Sequence, residues 1–214
     1  MPKLISYLYP ITKKVPSDFS GTLEITWYNG KKHLNTENAN YSYGSLQKVL
    51  KFGLTKIDFK NVNSVLLLGL GGGSVIETLR EDFKYSNPIM AVDIDQKIIE
   101  IAKHEFNLKD DGNLSIICED ALEFMALNKT QYDLIIIDVF IDMDVPEAFL
   151  AIPFFEDVLK SSSANGSIVF NASLYKTKTN ALQDVIDYLK SKFFKVEIFE
   201  KVNNTNTVVI AKGL

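Results

Sequence analysis

From Ser64 onward, short apolar runs alternate with amphipathic segments: VLLLGL, VIETLREDF, IMAVDI, QKIIEIAKHEF, LSIIC, ALEFMAL, DLIIIDVF, PEAFLAIPFFEDVLK, GSIVFNA and TNALQDVIDYLKSKF. The pattern predicts five apolar strands separated by helices. Strands this uniformly apolar are covered on both faces, as in a parallel sheet with right-handed crossovers. The tail departs from that rhythm, because KVEIFEKV and TNTVVIAKG are separated only by Asn-rich turn residues and read as an antiparallel hairpin. The expected fold is therefore α/β, a Rossmann-like seven-stranded sheet with five parallel strands closed by a C-terminal antiparallel hairpin.

Upstream, TLEITWY, the turn pair Asn29-Gly30 and KKHLN read as a β-hairpin. In YGSLQKVLKFGL, Leu46, Val49, Leu50 and Leu54 recur at helical spacing. The expected organisation is an appendage of hairpin and linking helix over residues 1–54, then the main α/β domain over residues 55–214. No internal repeat or low-complexity tract divides the main region further, and SSSANG at 161–166 reads as a helix end and turn before a strand.

Composition narrows the partners. With 46% hydrophobic residues in 214, the chain is long enough for a substantial core. A formal charge of -4 argues against a surface built to neutralise phosphates, so nucleic acid is not an expected partner. No stretch approaches the roughly 20 apolar residues that span a bilayer. The start MPKLISYLYPITKK lacks a long apolar region followed by a cleavage site, so no membrane partner and a cytoplasmic location are expected. One cysteine and two histidines form no cluster with metal-ligand spacing, so no metal is expected. Cys118, in the apolar run LSIIC, is expected to be a buried small side chain.

The chemistry gathers at the carboxyl ends of the predicted strands. In VLLLGLGGGSVIETL, Gly69, Gly71 and Gly73 stand between strand and helix, where missing side chains let a ligand approach the backbone. Asp93 ends the second strand, twenty residues after Gly73, where a carboxylate can accept both hydroxyl hydrogens of a ribose. Asp95 suits the capping of the next helix. Asp120 follows the third strand, placed equally well to cap the next helix or to accept an adenine amino hydrogen. Asp138, after the fourth strand, faces the reaction region, and Asp142 and Asp144 follow in a loop before Pro146. Glycines and an acid twenty residues on fit NAD enzymes as well, although Ser74 stands where a dinucleotide fingerprint wants Gly or Ala.

Taken together, LLLGLGGGSV, MAVDIDQKIIEIAK, EDALEFM and YDLIIIDVFIDMDVPEAFLAIPFFEDVLK resemble the class I methyltransferase fold and, within it, the spermidine synthase family. The resemblance covers about residues 34–175 and extends upstream to LNTENANYSYGSLQKVL, which keeps Thr36, Glu37 and Tyr43 of the family pattern. It implies ribose, adenine and reaction-centre roles for Asp93, Asp120 and Asp138. The implied cofactor-binding set is Gly69, Leu70, Gly71, Gly73, Asp93, Ile94, Asp120, Ala121 and Asp138, and the implied catalytic set is Asp138, Tyr43 and Asp142. The implied ligand is S-adenosylmethionine, its decarboxylated form or methylthioadenosine.

Departures fall where the family holds a diamine. The Asp of the GGGDGG pattern is Gly72 here, its Gln is Leu34, the His-Glu after the tyrosine is Gly44-Ser45, and DSSD becomes Asp138-Val139-Phe140-Ile141. On that ground the expectation is a sulfonium-nucleoside-dependent transferase with a degenerate polyamine site. Methyl transfer stands slightly ahead of aminopropyl transfer, and a neutral or partly apolar small molecule is the expected acceptor. The alternatives are an aminopropyltransferase that makes polyamines, an NAD-dependent dehydrogenase and a nucleoside-binding protein without turnover. A homodimer is one option for its assembly.

Overall fold

A computed structural model describes residues 2–36, 40–109, 112–141, 144–174, 180–192 and 195–213. A short helix, α1 (Pro2–Ile5), precedes an antiparallel sheet of β1 (Ile11–Ser17), β2 (Gly21–Tyr28), β3 (Lys31–Asn35) and β4 (Asn40–Ser42), in that order. Helix α2 (Gly44–Leu54) leads to the larger sheet. There β5 (Val65–Leu68), α3 (Ser74–Glu81), β6 (Ile89–Asp93), α4 (Gln96–Glu105), β7 (Leu114–Cys118), α5 (Ala121–Leu127) and β8 (Tyr132–Ile137) alternate. They are followed by α6 (Ile152–Lys160), β9 (Ser162–Leu174), α7 (Asn180–Lys192), β10 (Lys195–Val202) and β11 (Asn206–Lys212).

The larger sheet has seven strands in the order β10-β11-β9-β8-β5-β6-β7. Strands β5 to β9 run parallel, and β11 pairs antiparallel with both β9 and β10. This is the Rossmann-like arrangement with a closing hairpin that the apolar pattern predicts. Period-two alternation sends Leu67, Ile136, Val169 and Val208 to one face, under α2, α3 and α4, and Leu66, Leu68, Ile135 and Ile137 to the other, under α5, α6 and α7. All four residues of β5 are 0% exposed because both faces are covered. Close approach of α2 depends on Gly53, where a Cβ would stand 2.7 Å from Val169 Cγ1.

The N-terminal region is more than the predicted hairpin. Strand β1, with Lys13, Lys14 and Pro16, lies at the edge of its sheet, where proline and charge are tolerated. Leu23, Ile25 and Leu34 pack against Ile98 and Ile101, so the small sheet docks on α4. The Lys32 ammonium meets the Glu105 carboxylate at 2.8 Å along that contact. Two further differences are local. PEAFLAIPFFEDVLK divides into a 3-10 turn, Glu147–Leu150, and α6, with extended backbone at Ala151 between them. Residues 162–166 belong to the start of β9 rather than to a turn, because Ser162 still pairs with Tyr132 of β8.

Candidate functional site

Strand β5 ends in the turn from Gly69 to Gly73, and three of its glycines have positive φ: 90° at Gly69, 52° at Gly71 and 87° at Gly73. Gly69 passes directly over the exit of β8, so any Cβ there would collide with the Asp138 carbonyl oxygen. The Gly73 Cβ position faces Leu108 at 3.1 Å, which makes this glycine a helix cap packed on the loop after α4. Asp93, ending β6, braces the turn. Its Oδ2 accepts from Leu70 N–H at 2.8 Å and Gly71 N–H at 3.4 Å, while Oδ1 accepts from Asp95 N–H at 3.0 Å. Burial nonetheless pushes its carboxyl up to about 6, these donors pulling the other way and the Asp95 charge adding to the rise.

Asp138 follows β8, its N–H donating to Leu68 O at 2.8 Å. Its Oδ1 accepts from Asn171 Nδ2 at 2.8 Å, and Asn171 Oδ1 in turn accepts from Asn206 Nδ2 at 2.9 Å. Burial raises Asp138 to about 6 as well, opposed by the Asn171 amide and assisted by the negative charge of Asp93. Asp95 and Asp120 cap α4 and α5 through Lys97 N–H and Leu122 N–H. The Ser17 and Ser20 hydroxyls both donate to Asp95 Oδ2, which fastens the β1–β2 turn to the start of α4.

These elements enclose a cavity of about 430 Å³. Gly69, Gly71, Asp93, Ile94, Asp120, Ala121 and Asp138 of the expected set line it together. Asp95 joins them, so four carboxylates face one cavity, and its described lining contains no Lys, Arg or His. Part of the lining is apolar: Val139, Phe140, Ile141, Pro146, Ala148 and Phe149.

Leu70 and Gly73 are not in the lining: Leu70 contributes its N–H to Asp93, and its side chain is buried. Tyr43 is also elsewhere. Its ring stacks on Phe106 at 4.8 Å, its hydroxyl is 3.5 Å from Gly72 O, and burial together with the neighbouring Glu77 drives its pKa far up. Tyr43 therefore stands outside the described cavity lining, away from the position its expected catalytic role calls for. Asp142 and Glu37 lie outside the described residues. Cys118 is exposed rather than buried, with desolvation of its sulfur and the charges of Asp93 and Asp95 pushing its pKa up.

Reading the sequence missed Phe19 and Ser20, which reach the cavity from the β1–β2 turn, and Asn206 from β11. The segment Ser17-Asp18-Phe19-Ser20 signals only a turn. An isolated asparagine such as Asn171 in GSIVFNA carries no signal of a partner 35 residues away.

A model of the spermine/spermidine synthase domain matches residues 48–204. The chain belongs to the spermine/spermidine synthase family. A relative from Bifidobacterium longum, named "Probable polyamine aminopropyl transferase", is 26% identical over 155 residues, which is 71% of this chain and 34% of that one. The chain spans about a third to a half of the length of the curated relatives it matches first.

Two solved structures share the fold. A probable spermidine synthase from Corynebacterium glutamicum aligns with a TM-score of 0.67 and 15% identity, covering 95% of this chain and 77% of that one. Human methyltransferase-like protein 13, in complex with SAH, also aligns with a TM-score of 0.67, at 22% identity, covering 80% and 83%. The preference for methyl transfer is overturned by the family match and by relatives named as aminopropyltransferases. Those findings favour what stood as the alternative.

Proposed function

We propose that this chain transfers the aminopropyl group of decarboxylated S-adenosylmethionine to an amine acceptor. The observation that carries the proposal is the cavity lining of four carboxylates with no cationic side chain among the described residues. Decarboxylated S-adenosylmethionine suits such a lining because it has a sulfonium and an ammonium and no carboxylate. A dinucleotide would bring its pyrophosphate charge against those acids with no cation to offset it, an unfavourable arrangement at low dielectric.

In this reading Asp93 holds the ribose hydroxyls with the oxygen lone pairs left by its backbone donors, Ile94 and Ala121 flank the base, and Asp120 takes the adenine amino group. The bound donor supplies an electrophilic carbon attached to positive sulfur. The protein positions the acceptor amine in line with that carbon and excludes water. The N–C bond forms as the C–S bond breaks, methylthioadenosine leaves, and Asp138 receives the proton the amine loses. With a carboxyl near 6, Asp138 is largely ionised at pH 7.5 and still basic enough for that transfer. The β1–β2 turn then acts as a cover that brings Phe19 and Ser20 over the donor.

The acceptor half is reduced relative to the family pattern. At Gly72, where that pattern has Asp, a Cβ would stand 3.1 Å from Ser42 Cβ and 3.2 Å from Tyr43 Cε2, so the space is filled by neighbours. The apolar wall from Val139 to Ile141 fits an acceptor with a hydrocarbon stretch beside its reacting amine.

The experiment is to incubate the protein with decarboxylated S-adenosylmethionine and a panel of putrescine and simple alkyl amines, following methylthioadenosine by chromatography. Release with the decarboxylated donor and none with S-adenosylmethionine is expected. Donor binding without release for any amine would sink the transfer, and equal use of both donors would sink the electrostatic argument.

A further inference from the structure

We infer that Asn171, oriented by Asn206, is a positioning residue that holds one oxygen of Asp138 and leaves the other for the ligand. The inference rests on Asp138 being the acid at the reaction centre. Its geometry starts in the parallel pair β8–β9, whose last matched residues are Ile137 and Phe170. One step further along, Asp138 and Asn171 leave the ladder on the same face of the sheet and meet through Nδ2–H and Oδ1 at 2.8 Å. Directly after Asn171, the β9–β11 register slips: Val208 pairs with Asn171 but Thr207 pairs with Ser173, leaving Ala172 as an extra residue. Bulges of this kind re-aim side chains beside active sites.

The amide chemistry makes the arrangement directional. A primary amide has a donor end and an acceptor end, and an ionised carboxylate accepts only. Asn171 is 0% exposed, so its carbonyl must find a donor inside the protein. Asn206 Nδ2 supplies that donor at 2.9 Å. With the Asn206 bond in place, turning the Asn171 amide over would set its oxygen against the Asp138 carboxylate and its NH2 against the Asn206 NH2. Asn206 also lines the cavity, so the chain of amides runs from the cavity wall through the interior to the acid.

The Asn171 amide is the side chain whose hydrogen bond opposes the rise of the Asp138 carboxyl. Strand β5 presents Gly69 to the cavity beside Asp138, α2 presents Ser45 and Leu46, and the segment after β8 presents Val139, Phe140 and Ile141. The charged groups sharing the cavity are Asp93 at the end of β6, Asp95 before α4 and Asp120 before α5, all of the same sign as Asp138. Asp144 and Glu147, further along the segment after β8, lie outside the lining.

The test is carboxyl carbon NMR on protein labelled at aspartate, with the Asp138 resonance assigned by its loss in Asp138→Asn. Asn171→Ala is expected to raise the Asp138 titration midpoint by about one pH unit, the consequence of losing a hydrogen bond to a charged group. Asn206→Ala is expected to raise it by a smaller amount, and Asp93 to move less than Asp138 in both. An unmoved Asp138 midpoint in folded Asn171→Ala would overturn the inference. Should that variant not fold, Asn206→Ala decides alone, with an unmoved midpoint again overturning the inference. The titration requires no turnover, so an absence of aminopropyl transfer would remove the proposed activity without touching this result. Where turnover is found, the acidic limb of the kcat/KM profile is expected to shift with the Asp138 midpoint.

Discussion

Replacing Asp138 by asparagine is expected to stabilise the ligand-free protein at pH 7.5 while removing its activity. The side-chain amide keeps an oxygen to accept from Asn171, so the bond at 2.8 Å survives and only the charge is lost. Burial raises this carboxyl from 3.8 to about 6, so the folded state binds the proton more readily than the unfolded chain. The stability from that proton is fully present below about 3.8 and disappears as pH rises through about 6. At 1.36 kcal/mol per unit, about two units correspond to ~3 kcal/mol as an upper bound. The side chain is partly open to the cavity, and solvent screening brings the expected gain at pH 7.5 nearer 1–2 kcal/mol.

Asp93 supplies the contrast, because it has the same raised value for the same leading reason and different partners. Its two oxygens accept from three backbone N–H groups. An amide oxygen at that position can serve Leu70 and Gly71, which leaves an NH2 group facing the Asp95 N–H. An unsatisfied buried donor costs about 1–3 kcal/mol, enough to cancel the gain from removing the charge. Urea unfolding followed by circular dichroism at pH 4.5, 6 and 7.5 checks both substitutions. Asp138→Asn is expected to flatten the dependence between pH 4.5 and 6 and to exceed wild type at pH 7.5, while Asp93→Asn is not. An Asp138→Asn protein no more stable than wild type at pH 7.5 would show that this carboxylate is not held at a desolvation cost, and the argument would fail.

Three further outcomes are expected. Gly69→Ala combines a φ of 90° with a collision at the Asp138 carbonyl, for a loss of about 2–4 kcal/mol that a thermal melt reads directly; an unchanged Tm would refute the close approach of the Gly69 turn to the exit of β8. Decarboxylated S-adenosylmethionine at 100 times its Kd should stabilise the fold by about 2.7 kcal/mol while NAD leaves Tm unmoved, and a comparable NAD shift would refute the reading of the acidic lining. Cys118, exposed but with its pKa raised, should alkylate with iodoacetamide at pH 7.5 more slowly than a free thiol and accelerate as pH rises, whereas faster alkylation would indicate an activated thiolate.

The parallel sheet was legible because its strands must be apolar on both faces, and runs such as VLLL in β5 and LIII in β8 have no polar alternative to offer. Position within the sheet was not legible. LSIIC looks as apolar as the other runs, yet β7 is the edge of the seven-stranded order, and Ser115 and Cys118 are exposed. The composition of a strand records how it is covered only where coverage is complete. Strand β1 hides for the opposite reason: ITKKVPS has few apolar residues and a proline, and it becomes a strand only because β2 offers a partner along seven register positions.

The candidate site divides along the same line. Gly69, Asp93 and Asp138 stand out because each sits at the end of an apolar run, where the chain must stop being core. What one sequence could not settle was the ligand class, since a glycine turn followed by an acid serves two kinds of cofactor. That decision needs the whole lining at once. Asp95, readable only as a helix cap, turns out to carry two hydroxyl contacts, a cap and a place in the cavity wall. Asn171 and Asn206, silent in their strands, meet across the sheet beneath Asp138. Each residue taken singly has an ordinary structural explanation. The proposed preference for a ligand with positive sulfur rests on the sum of the charges around one cavity, a quantity that arises only when loops from β6, β7 and β8 converge.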